Sequence, residues 1–232
     1  MFLSLLLFVG TMAISAWATL RVKAAYGRYS QVPAMAGYSG AEAAEQILQA
    51  AGVYDVQIVE HEELLGDHYD PLHKRLVLSR ENFEGRSVAA LGIAAHECGH
   101  AIQHKAAYAP LQWRMAAVGL TSFASQLVMW LPLVGMFTGL LSSRTGLLIM
   151  ALGWGIIMLF NLITLPVEFD ASRRAKQLLP AMGFIQPGEE LRAVRKVLNA
   201  AAWTYVAAFL TSLAYFFWHL LPLLLGNRHS DE

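Results

Sequence analysis

The chain has 232 residues, 56% of them hydrophobic and 15% charged, and its seventeen basic and seventeen acidic side chains cancel. A neutral chain has no basic field to gather nucleic acid, so no nucleic-acid partner is expected; one cysteine, Cys98, excludes an internal disulfide and a cysteine-built zinc site. So apolar a composition points to a lipid bilayer as the principal partner.

The first apolar run, residues 1–20, is long enough to cross a hydrocarbon layer, which needs about 20 helical residues. Ala16-Trp17-Ala18 has the small-residue pattern of a signal-peptidase site, but no Lys or Arg precedes the run, while Arg21, Lys23 and Arg28 follow it. That asymmetry favours an uncleaved anchor with its N-terminus outside.

Residues 21–114 are the larger polar part. Ala41 to Ala51 reads as a helix closed by Gly52, Tyr54 to Val59 as a short strand, Asp67 to Pro71 as a turn, and Arg75 to Ser79 as a second strand. The second strand reads either as an edge offered to extended substrate or, at least as readily, as an ordinary member of a sheet. A further helix opens at Ser87, a suitable N-cap, and runs to about His104.

Three more apolar segments follow, at 115–141, 146–165 and 203–225, and none of the four contains Lys, Arg, Asp or Glu in its interior. Leu131-Pro132 calls for a kink or break in the second, tolerable where neighbouring helices satisfy the freed backbone. Between the third and fourth lies a smaller polar part, 166–202, read as two helices broken at Gly183 to Gly188. Residues 21–114 carry nine Lys or Arg and 167–202 carry six, against one in 142–145 and one after 225. By the positive-inside rule the two polar parts face the cytoplasm and both termini face out. The expected architecture is an α-helical integral membrane protein with four transmembrane helices and a small cytoplasmic α+β domain.

The chemistry is concentrated in Ala95-His96-Glu97-Cys98-Gly99-His100-Ala101, an H-E-x-x-H arrangement in mid-helix. A spacing of four puts both imidazoles on one helical face, within reach of one Zn²⁺, and leaves Glu97 placed to take a proton from the water that zinc activates. That is metal-assisted peptide hydrolysis, with one zinc per chain as the cofactor. Two unrelated histidines on a helix would have no reason to come with a third ligand.

After His104 the next histidine is His219, inside the fourth apolar segment, so the third ligand must be a carboxylate. Between His104 and that segment the acidic residues are Glu168, Asp170, Glu189 and Glu190. Two membrane crossings separate His100 from Glu168, which therefore returns to the same face. Glu168 is favoured for its longer arm; Asp170 is the alternative ligand, or a partner of an imidazole. Both can instead be charges at the start of a helix after Pro166. His104 continues the histidine face by another turn and is a candidate for steadying a tetrahedral oxyanion; Tyr69 and His68 are weaker candidates. Arg173 reads as a membrane-surface anchor.

These residues resemble the neutral zinc metallopeptidases of bacterial membranes, the YugP type. The resemblance runs through Asp67-His68-Tyr69-Asp70-Pro71, Leu78-Ser79, Ala95 to His104 and Leu165-Pro166-Val167-Glu168-Phe169-Asp170-Ala171-Ser172. More distantly the chain is similar to the HtpX and CAAX-processing membrane proteases, in which a Glu after the second membrane hairpin completes the zinc site. It departs from them at Ser172, where those relatives carry an Asp four residues after that Glu. The resemblance implies a gluzincin-like zinc endopeptidase of the cell (inner) membrane acting on membrane or membrane-proximal proteins. The rival reading is a zinc-containing membrane chaperone or scaffold without proteolysis, but a structural zinc takes four protein ligands and this chain supplies three.

Overall fold

The structure is a computed structural model and describes residues 2–62, 66–138 and 143–226. The last three residues of the 115–141 span, residues 63–65 of the larger polar part, Met1, and Arg228 beyond the fourth apolar segment lie outside the described residues. The elements in chain order are α1 (Phe2–Tyr29), α2 (Gly40–Ala50), β1 (Gln57–His61), β2 (His68–Asp70), β3 (Arg75–Ser79), α3 (Arg80–Phe83), α4 (Val88–Lys105), α5 (Ala109–Thr138), α6 (Arg144–Ala181) and α7 (Glu189–Leu225). They divide into two compact units, one of Met1–Ser15, Trp113–Leu165 and Tyr205–Glu232, the other of Ala16–Gln112 and Pro166–Thr204.

The first unit holds most of the apolar stretches of α1, α5, α6 and α7, which among the described residues are the four helices long and apolar enough to cross a membrane. No more than 22% of the most apolar window of any of them is buried by protein, so the remaining surface requires another apolar phase. Some polar side chains here pair with one another or with a backbone carbonyl, whereas Trp154 Nε1 and Thr211 Oγ1 are buried without a hydrogen-bond partner. Asn161 donates to Ser212 Oγ at 3.0 Å and to the Ala208 carbonyl at 3.2 Å, and Trp154 stacks on Tyr215 at 4.6 Å. Of the kink or break expected at Leu131-Pro132, the break is absent: α5 runs as one helix with Pro132 inside it.

The second unit is built on a three-stranded sheet of order β1-β3-β2, with β1 parallel and β2 antiparallel to β3. β3 is therefore central, paired along Arg75 to Ser79 with β1 and over Arg75 to Val77 with β2, so of the two readings of this strand ordinary sheet membership is the one seen, with no free edge over Arg75 to Val77. β1 begins three residues later than the sequence reading, because Tyr54 and Asp55 lead into it and pairing starts only at Gln57 opposite Arg75. The expected turn at Asp67 to Pro71 contains β2, and the reversal falls just after it. Asp70 Oδ1 accepts from the amides of Leu72 and His73, and Lys74 takes a left-handed φ of 51°.

α2 is closed at its start by a reciprocal cap between Ser39 and Glu42. With α4 it packs around a core that includes Ile47, Leu76, Leu78, Leu91, Leu179, Phe184, Val194 and Leu198. α4 is buried nearly all round. Its small residues Ala89, Ala90, Ala94, Ala95 and Ala101 let neighbouring backbones approach, which an amphipathic surface helix would not allow.

α6 corrects a second expectation. It continues without interruption through Pro166, so Glu168 and Asp170 lie far from its start at Arg144 and gain nothing from a helix N-terminus. Proline removes one helical hydrogen bond, but flanking turns already held by packing can keep their direction. The segment 166–202 is thus the end of one long helix and the beginning of another, separated at Met182 to Gly188, with Gly183 and Gly188 at φ of 75° and 120°.

Candidate metal centre

α4 is capped by Ser87, whose Oγ accepts from the Ala90 amide at 3.1 Å, and its 18 residues carry His96 and His100 one turn apart. The two rings are 4.8 Å apart between centroids and nearly perpendicular, at 84°. Glu168 arrives from α6 with 1% exposure, and its Oε2 lies 3.3 Å from His96 Nε2 and 3.6 Å from His100 Nε2. One ligand atom from each of the three falls within 4.8 Å of the others.

The two carboxylate–imidazole distances are close to those of a zinc site. A tetrahedral ion with bonds of about 2.0–2.1 Å has ligand atoms about 3.3 Å apart along each edge. Two nitrogens and a carboxylate oxygen spaced this way, almost closed to solvent, suit a borderline cation better than they suit one another. Burial alone would push the His100 pKa down; the adjoining carboxylates of Glu168 and Glu97 hold it above its ordinary value instead. Such stored attraction is what a divalent ion would exploit.

Asp170 is not in the cluster. It accepts from Arg173, from Arg174 Nε at 2.6 Å, and from Gln103 Nε2 at 3.0 Å. Of the two carboxylates the sequence leaves open, the one beside both imidazoles is Glu168. Arg173, read as a surface anchor, is paired with Asp170.

Each imidazole is also held from behind. Ser172 Oγ lies 3.1 Å from His96 Nδ1, so the serine that departs from the distant relatives occupies the orienting position. Gln103 Oε1 lies 3.0 Å from His100 Nδ1. Sequence reasoning missed Gln103, although its place three residues after His100 on one helix is a legible signal. Glu97 is 8% exposed and one turn from His100. Cys98 turns its thiol toward the Ala44 carbonyl of α2, at 3.6 Å, and burial pushes its pKa up.

His104 Nδ1 is bonded to the Tyr69 hydroxyl at 2.9 Å. The pair lines a cavity of about 200 Å³ with Asp55, Lys74 and Lys105, which includes none of the three clustered residues. Burial, with Asp55 and Asp70 nearby, pushes the Tyr69 pKa up to about 12, so the phenol keeps its proton near neutrality. His68 bonds the Gly66 carbonyl at 2.7 Å.

The approach of α4 to α6 depends on Gly99. A Cβ there would lie 2.9 Å from the Ala171 carbonyl oxygen, 3.0 Å from its Cα and 3.2 Å from its Cβ. Backbone cannot swing aside as a side chain would, so Gly99→Ala must part the helices that carry the histidines and Glu168. Overpacking of this kind costs about 1–3 kcal/mol. The expected result is a folded protein with zinc affinity lowered about tenfold or more, measured by chelator competition. Unchanged affinity would show that the triad does not need this close contact.

Residues 4–224 match the family described as "Putative neutral zinc metallopeptidase". The chain is 43% identical over 216 residues to the "Putative membrane protease YugP" of Bacillus subtilis (strain 168), covering 91% of this chain and 92% of that protein. No solved structure matches it.

Proposed function

The chain belongs to this family of zinc metallopeptidases, and from that premise we propose that it is a multi-pass membrane endopeptidase using one zinc ion held by His96, His100 and Glu168. The observation that carries the reading is Glu168 Oε2 standing 3.3 and 3.6 Å from the two Nε2 atoms. Two histidines and a glutamate make a gluzincin-like ligand set and leave a fourth position for water or substrate. When bound, zinc supplies Lewis acidity to a water and to the scissile carbonyl.

The chain's own residues do the rest. Glu97 accepts a proton from the attacking water and delivers it to the departing amine. Ser172 holds His96 from its Nδ1 side and keeps Nε2 turned toward Glu168. His104 with Tyr69 offers a polar pair one turn beyond His100, suited to steadying the substrate carbonyl as its oxygen gains charge.

We place the site on the cytoplasmic side, with both termini outside, from the nine and six basic residues of 21–114 and 167–202 against one in 142–145 and one after 225. Glu168 follows the third apolar segment by three residues, a helical rise of about 5 Å, which favours substrates held in or near the bilayer. In inverted cell-membrane vesicles a fluorogenic peptide with an acyl anchor should be cleaved faster than the unanchored peptide, and an impermeant chelator should stop both. Cleavage by sealed right-side-out vesicles would invert the topology. Absence of chelator-sensitive cleavage in either orientation would favour a chaperone or scaffold.

A further inference from the structure

We propose that Gln103 is a positioning residue that fixes the protonated nitrogen of His100 and ties the His100 turn of α4 to the Glu168 turn of α6. The inference rests on the zinc reading above. Its basis is a side chain with no exposure whose every amide atom has a partner.

Gln103 Nε2 lies 2.8 Å from the Val167 carbonyl oxygen and 3.0 Å from Asp170 Oδ2, and Oε1 lies 3.0 Å from His100 Nδ1. A primary amide has two N–H donors on nitrogen and only acceptor capacity on oxygen. A carbonyl and a carboxylate can only accept. The opposite amide orientation would set Oε1 against both of them, so the orientation is determined, and with it the direction of the third bond. Oε1 accepts; therefore His100 Nδ1 carries the proton and donates. In the zinc-loaded protein the Nε2 lone pair is then the one left for the metal.

The acceptor that pins the amide is itself pinned. Arg174 Nε donates to Asp170 Oδ2 at 2.6 Å and Arg173 donates to Oδ1, so Asp170 is kept ionised and cannot turn away without losing two charged partners. Asp170, which the sequence offered as a possible ligand or imidazole partner, acts on His100 through one intervening amide.

The two donors of Gln103 grip α6 on either side of Glu168, at Val167 one residue before it and Asp170 two residues after. One side chain thus registers the second ligand against the third. Neighbouring Gly99 brings the same two helices into backbone contact at Ala171. Gly99 permits the approach; Gln103 fixes its phase, because a slide or rotation of α6 would break two hydrogen bonds of a fully buried side chain.

The test uses the full-length protein in detergent, with zinc affinity from chelator competition and imidazole ¹⁵N and ¹H resonances of the zinc-loaded protein. In the wild type, His100 should show a slowly exchanging proton on Nδ1, close to the Gln103 side chain, with the metal on Nε2. Gln103→Met preserves volume and removes all three bonds. It should weaken zinc binding about 10- to 100-fold, the usual effect of losing a partner behind a ligand, and lose the slow Nδ1 proton of His100 while leaving that of His96. Gln103→Glu keeps the acceptor for His100 Nδ1 but sets its second oxygen against the Val167 carbonyl and Asp170, so it should keep the His100 proton while still weakening zinc binding. A merely structural glutamine would lower the melting temperature without moving the His100 resonance relative to His96. Wild-type zinc on His100 Nδ1, or a Met variant with unaltered affinity and resonances, overturns the inference and leaves the zinc site standing. Failure of the wild type to bind zinc at all overturns the underlying reading instead.

Discussion

Glu97→Gln should bind one zinc per chain as tightly as the wild type and cleave peptide slower by at least 10²–10⁴-fold, the range that proton transfer by a positioned carboxylate contributes. The two side chains are nearly the same shape, and Glu97 is not one of the three residues whose ligand atoms cluster. The difference is chemical: an amide cannot take a proton from water at neutral pH or hand one to an amine. Glu97 sits 8% exposed beside His96, where no bulk buffer can easily replace it. Zinc content by elemental analysis and turnover of an anchored peptide, on the same preparation, separate the two effects. Hydrolysis within tenfold of wild type would remove Glu97 from the role of base.

The second large effect is on the metal itself. His96→Ala and Glu168→Ala should each lose zinc by more than the 10- to 100-fold expected when only an outer partner of a ligand is removed. Each takes away one of three protein ligands and leaves a tetrahedral ion with two. Glu168→Gln is the sharper variant, since it keeps the volume in a site where Glu168 is 1% exposed and removes the charge that offsets the dication. Asp170→Asn is the matched comparison. Asp170 touches neither imidazole and acts through Gln103, so its loss should fall within the outer-partner range. Equal losses at 168 and 170 would argue that the ligand assignment is wrong.

Much of the molecule is legible from local pattern. The helix carrying His96 and His100 runs from its Ser87 cap almost to where periodicity and capping end it, because helix formation is governed by neighbours within four residues. The four apolar runs are legible for the same kind of reason, since a bilayer imposes a length and excludes charge residue by residue. Even the return of Glu168 toward the histidines follows from counting two crossings.

What local pattern could not decide was phase. Glu168 and Asp170 are two residues apart, and which of them faces His96, 72 residues earlier, depends on the rotation of α6 after it passes Pro166. A proline is a strong stop signal in sequence, yet here packing on both sides carries the helix through it, and that displaced the expected helix start. The sheet order is of the same kind. β3 has the composition of a strand wherever it lies, but only pairing with β1 on one side and β2 on the other makes it central. Ser172 and His96, and likewise Gln103 and Asp170, became partners only when α4 and α6 met at Gly99, whereas Gln103 and His100 are neighbours on α4 itself. Hydrogen bonds between residues 64 to 76 positions apart have no periodicity to betray them; they exist because tertiary packing sets two helices at one distance and one rotation.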